Sequence, residues 1–162
     1  TLASFNVPGM NKLQQMVSTG ELLFPGAADF ARQAAKEVPI AIASGALRHE
    51  IDDIIGAAEI SELFPVIVAS GDTPQSKPSP APYLLAFERL RQASGNGLEP
   101  GRCVAIEDSR WGLESARRAG LRCVGVTNSY PAHELPGAEL IVDGLKALTL
   151  PMLDELVQSA RV

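Results

Sequence analysis

Residues Cys103 to Gly120 constrain what this chain can fold into more than any other stretch. Cys103-Val104-Ala105-Ile106 is a short apolar run, the pattern of a parallel strand covered on both faces. Glu107-Asp108 then sets two carboxylates at the strand's carboxyl end. Ser109 is placed to cap a following helix, because its hydroxyl can accept an orphan amide hydrogen bond. Gly112, Ala116 and Ala119 give that helix a small-residue face for close packing, and Gly120 stops it. Strand, acidic turn and helix in this order is how open α/β sheets place ligands, outside the carboxyl ends of their strands. Adjacent carboxylates repel, and a divalent cation relieves the repulsion. Mg²⁺ suits such a turn, since it takes one or two carboxylates and fills its shell with water and phosphate oxygens. A solvated acidic turn, with Asp108 helping to cap the helix, is the plainer reading of the same residues.

The rest of the chain alternates strand and helix patterns. Ala27 to Glu37 reads as a helix, and Val38 to Ala43 as an apolar strand ending in Ser44-Gly45-Ala46. Leu47 to Ala57 carries Leu47, Ile51, Ile54 and Ile55 at helical spacing. Val66 to Ala69 is another short strand, followed by a loop from Ser70 to Pro80 that holds Lys77. Tyr83, Leu84, Phe87 and Leu90 mark an amphipathic helix. Arg122 to Val126 and Leu140 to Val142 read as strands, and Leu145 to Ala160 as one or two helices around Pro151. Such alternation implies a mainly parallel sheet with right-handed crossovers. Asn11 to Thr19 suits a short helix, whereas Thr1 to Gly9 shows no clear period. No repeat or linker divides the 162 residues, a length suited to one domain.

Composition excludes several classes. With 46% hydrophobic and 20% charged residues the chain is not of the disordered type. A net charge of −5 without a run of like charges disfavours a nucleic-acid surface. No apolar stretch is long enough to span a bilayer, and no signal-peptide pattern opens the chain. Cys103 and Cys123 lack metal-ligand spacing and read as reduced core thiols of a cytoplasmic protein.

Three predicted strand ends share one rim of such a sheet: Ser44, the loop with Lys77, and Glu107-Asp108. Taken singly, a serine after a strand satisfies a turn and a lysine is solvated. Together they offer a hydroxyl with neighbouring amides, a fixed positive charge and an acidic pair. Those are the parts needed to bind and transfer a phosphoryl group, whose chemistry rests on positioning and charge stabilisation. His49 and His133 are not placed near Ser44, and no Gly-x-Ser-x-Gly elbow surrounds it, so a serine hydrolase is disfavoured. Trp111 is expected to pack at the start of its helix.

Ala43-Ser44-Gly45, Ser76-Lys77-Pro78-Ser79-Pro80 with Tyr83 behind it, and Glu107-Asp108-Ser109 with Gly112, Ala116 and Ala119-Gly120 resemble three motifs of the haloacid dehalogenase superfamily. The similarity is to its β-phosphoglucomutase-like and phosphoglycolate-phosphatase-like branch, and runs from about Leu22 to Val142. It implies a Rossmann-like three-layer α/β fold and a Mg²⁺-dependent phosphatase or phosphomutase of a small phosphorylated metabolite. Ser44 and Gly45 would then bind the phosphoryl group, Lys77 would pair with the nucleophile and phosphoryl charge, and Asp108 with Glu107 would hold Mg²⁺, Asp108 being the direct ligand of choice. The family's first motif, an Asp-x-Asp supplying nucleophile and general acid/base after a central strand, has no counterpart here, since no Asp-x-Asp occurs. The resemblance thus implies that residues 1–21 are the remnant of a helical cap and linker. Residues 22–162 would form a core lacking its central first strand, and the chain alone would be inactive. Two interior strand edges would be left to close on each other or to be filled from another chain. A phosphate- and metal-binding or receiver-like signalling module without turnover is the alternative, with Asp108 as its acceptor.

Overall fold

Six parallel strands and five helices alternate along the residues that the structure, a computed structural model, describes, namely 3–5 and 23–159. The strands are β1 (Ala3–Phe5), β2 (Ile40–Ala43), β3 (Val66–Val68), β4 (Val104–Glu107), β5 (Arg122–Val126) and β6 (Leu140–Val142). The helices are α1 (Ala27–Glu37), α2 (Arg48–Ala57), α3 (Ala81–Ala93), α4 (Arg110–Arg118) and α5 (Leu150–Gln158). The tail resolves into a 3₁₀ turn at Leu145–Ala147 and α5, with Pro151 in the first turn, where its missing N–H has no partner to lose. The helix expected over Asn11 to Thr19 lies outside the described residues.

The strands are buried on both sides, which is why they read as continuous apolar runs. Alternate side chains feed two cores. Ile40, Ile42, Val104, Ile106 and Val124 pack under α1, α2 and α5 with Phe30, Ile51 and Leu153. Ala41, Ala43, Ala105 and Cys123 face α3 and α4 with Tyr83, Leu90 and Leu113. Small residues on this second face let α4 approach closely, and both cysteines sit there as buried thiols.

The strand order is β3-β2-β1-β4-β5-β6. It differs from the sequence expectation at the centre. The slot between β2 and β4, expected to lack its strand or to be filled by a second chain, is occupied by this chain's own Ala3–Phe5. Ala3, Ser4 and Phe5 stand opposite Ile40, Ala41 and Ile42, and Ala3 and Ser4 opposite Val104 and Ala105. The reason lies in the backbone. Two interior edges present unmet amides and carbonyls, and any short extended segment can satisfy them whatever its side-chain pattern. Three residues are too few to show a period.

The order reverses between β1 and β4, because the chain winds outward from the centre in both directions. At such a switch point the strands' carboxyl ends open into a crevice.

Candidate active site

Each proposed residue leaves the sheet at that crevice. Ser44 directly follows β2 and is buried. Its amide donates to the Val68 carbonyl at 2.9 Å, and its Oγ accepts from the Ala46 amide at 3.1 Å. These bonds fix the turn over β3. Gly45 lies exposed, with no heavy atom within 4 Å of where a Cβ would stand, so the backbone here is approachable.

Lys77 reaches the same rim from the loop after β3. Its Nζ donates to the Ala43 carbonyl at 3.0 Å and to Glu107 Oε1, and it lies 4.9 Å from the centroid of the Tyr83 ring. The ammonium thus bridges the residue before Ser44 and the residue before Asp108. Its loop is tied down by Ser115, whose hydroxyl donates to the Ser79 carbonyl at 2.6 Å, and by Arg118 to the Pro78 carbonyl at 3.3 Å.

Glu107 was expected to share the ion with Asp108, but its carboxylate is engaged elsewhere. Its position in β4 turns it onto the α3/α4 face, where Tyr83 donates to Oε1 at 2.5 Å and Ser109 Oγ lies 3.5 Å from Oε2. Glu107 is 1% exposed, and burial pushes its carboxyl above the usual range; the Lys77 charge and the Lys77 and Tyr83 hydrogen bonds pull the other way. Gly112 makes room for this arrangement: a Cβ there would fall inside the Glu107 carboxylate. Ser109 caps α4 as expected, accepting the Gly112 amide at 3.1 Å. Trp111, expected to pack, is instead 47% exposed with the Arg110 guanidinium 4.2 Å above its ring.

Asp108 turns the opposite way, towards the crevice. It is 7% exposed, and the Ser129 hydroxyl, from the loop after β5, donates to its Oδ2. Asp108, Glu107 and Asn128 form the polar wall, among the described residues, of an otherwise apolar cavity of about 40 Å³. Among those residues no group of three or more His, Cys, Asp or Glu side chains gathers into a metal cage. One carboxylate at a strand end still fits Mg²⁺, which keeps water and substrate oxygens for the rest of its shell. Asp108 suits that role better than Glu107, whose Oε1 accepts from both Lys77 and Tyr83 on the other face of the strand. Ser129 was not singled out from sequence; its place just past the predicted strand Arg122 to Val126, on the same rim, was the available signal.

Ser44, Lys77 and the acidic pair therefore lie at the ends of neighbouring strands around one switch point. That defines a doubly wound α/β domain with a cationic and acidic strand-end site. The profile of haloacid dehalogenase-like hydrolases matches residues 4–120, and the chain belongs to that family. It is 34% identical over 148 residues to Protein CbbY of Rhodobacter capsulatus, covering 88% of this chain and 63% of that protein. It is 30% identical over 145 residues to the phosphoglycolate phosphatase of Escherichia coli K12, covering 85% and 55% respectively. The crystal structure of CbbY from Rhodobacter sphaeroides in complex with phosphate superposes with a TM-score of 0.74 at 32% identity, over 89% of this chain and 64% of that one. The chain thus spans rather more than half the length of these relatives. No helix among the described residues is long and apolar enough to cross a membrane.

Proposed function

We propose that this chain is the phosphoryl-binding core of a phosphatase- or phosphomutase-type hydrolase acting on a small phosphorylated metabolite in the cytoplasm. The observation that carries the reading is Lys77, whose ammonium joins the Ala43 carbonyl and Glu107, so that one positive charge sits between Ser44 and Asp108. Ser44 and the open backbone at Gly45 bind phosphoryl oxygens, and Lys77 balances their charge. Glu107 and Tyr83 hold Lys77 at that point, which makes Glu107 a positioning residue. Asp108 holds Mg²⁺, which supplies charge neutralisation on the transferred group. The relative solved with phosphate supports the same ligand chemistry here.

The attacking carboxylate is not supplied by the residues next to β1. Asn6, Val7 and Pro8 follow the strand in sequence, and no Asp-x-Asp occurs. Transfer through an aspartyl-phosphate therefore needs a group outside this set. Phosphate release from a panel of sugar phosphates and phosphoglycolate, with and without Mg²⁺, tests the assignment. The 162-residue chain should bind inorganic phosphate in a Lys77-dependent way yet give no turnover above background. Sustained Mg²⁺-dependent turnover would overturn these roles.

A further inference from the structure

We propose that Ser129 is a positioning residue for Asp108, setting its carboxylate for a divalent cation; this rests on the reading of Asp108 given above. The Ser129 hydroxyl donates to Oδ2 of Asp108, across from a different strand. Its placement follows from the sheet. Glu107 pairs with Gly125 in the β4/β5 register, so both chains leave their strands side by side. The loop that follows is pinned to the end of β6: the Thr127 amide donates to the Val142 carbonyl at 3.0 Å, and Thr127 Oγ1 lies 3.5 Å from Asp143 Oδ1. Gly125 lets the segment before β6 pack closely here: a Cβ would stand 3.0 Å from Ala138 Cβ. The serine is itself exposed, whereas the carboxylate it grips is buried. Its hydroxyl therefore serves the carboxylate rather than the packing of the core.

A donor on one carboxylate oxygen restricts rotation about the terminal torsion, which for Asp is broad and shallow. Outer partners of this kind typically change metal affinity by about 10- to 100-fold. Substitutions that keep the side chain's shape but not its hydroxyl separate the two contributions.

The test is Mn²⁺ binding to the full chain, followed by loss of the free-ion electron paramagnetic resonance signal, for wild type and for Ser129→Thr, Ser129→Val, Ser129→Ala and Asp108→Asn. Thr and Val have the same shape and differ in the hydroxyl. Ser129→Thr should bind as wild type, and Ser129→Val and Ser129→Ala about 10-fold more weakly or worse. Without metal, Ser129→Val and Ser129→Ala each take a donor from a buried carboxylate and should lower the thermal midpoint alike. Binding is compared at a temperature where every variant is fully folded, which separates the effect from loss of fold. Equal affinity of Ser129→Thr and Ser129→Val would overturn the proposal while leaving Asp108 as a ligand. Mn²⁺ binding that is absent in wild type, or indifferent to Asp108→Asn, would remove the reading of the site and this proposal together.

Discussion

Glu107 is under two opposed demands. It is fully enclosed between β4, α3 and α4, which disfavours its charge, while Lys77 and Tyr83 bond the charged form. Burial is the larger influence, so the folded state holds its proton to higher pH than the unfolded chain, whose value is near 4.5. The contribution of this group to stability is then fully present below about 4.5 and lost as pH rises towards the folded value. In metal-free buffer, the unfolding free energy of wild type minus that of Glu107→Gln should fall with rising pH across that window and level off above it. A rise would mean that Lys77 and Tyr83 outweigh burial. Two neighbours give sharper tests. Tyr83→Phe removes a donor from a buried carboxylate and should cost about 1–3 kcal/mol in urea unfolding. Gly112→Ala forces a methyl into the same carboxylate and should cost about 1–3 kcal/mol as an overpacking change, besides displacing Lys77.

Elements whose formation depends on their own side chains were legible in the sequence, and those that depend on a neighbour's backbone were not. Ala27–Glu37, Arg122–Val126 and Leu140–Val142 fall where their apolar patterns end, and Ser109 caps α4 because a serine precedes the helical run. The three rim positions could be read because each directly follows an apolar strand or sits in the loop after one. The resemblance already implied Asp108 as the more direct ligand of the two; what the sequence did not reveal is the cause, since it lies in which face of β4 each carboxylate takes and in Tyr83 from a distant helix. A second cross-element contact was equally invisible. Arg122, 4% exposed at the start of β5, donates to Glu139 at 2.7 Å before β6 and to the Ser159 carbonyl at 2.9 Å after α5. It fastens the chain's last helix to the end of the sheet opposite the site. Arg122→Ala leaves that carbonyl without its donor, while the exposed Glu139 regains water, so the cost should be about 1–3 kcal/mol. The urea midpoint should drop while phosphate binding at the far rim persists in the remaining folded fraction. Loss of binding at full foldedness would mean that the two ends of the sheet are coupled.

At the scale of the whole molecule, everything turns on the central slot. The switch point exists only if a strand separates β2 from β4, and the ligand-facing crevice opens at that strand's carboxyl end. Here three residues do this, and they do it with their backbone, pairing with both neighbours at once. The domain's two halves, β3-β2 with α1 and α2 and β4-β5-β6 with α4 and α5, share both cores, but within the sheet they are joined by hydrogen bonds that no side-chain pattern announces. A substitution aimed at the backbone alone isolates this dependence. Ser4 sits opposite both Ala41 and Ala105. Ser4→Pro deletes a ladder donor from a strand flanked on both sides, where proline is not accommodated, and should cost about 3 kcal/mol or more. Ser4→Ala keeps the amide and serves as the control for the side-chain change. The paired measurement is urea unfolding together with amide exchange in β2 and β4. In the proline variant the amides of Ile40–Ala43 and Val104–Glu107 that face the slot should lose protection first, and self-association should increase as the two edges become available. If Ser4→Pro matched Ser4→Ala in stability and exchange, Ala3–Phe5 would not be holding the sheet together, and the convergence of Ser44 with Asp108 would need another cause.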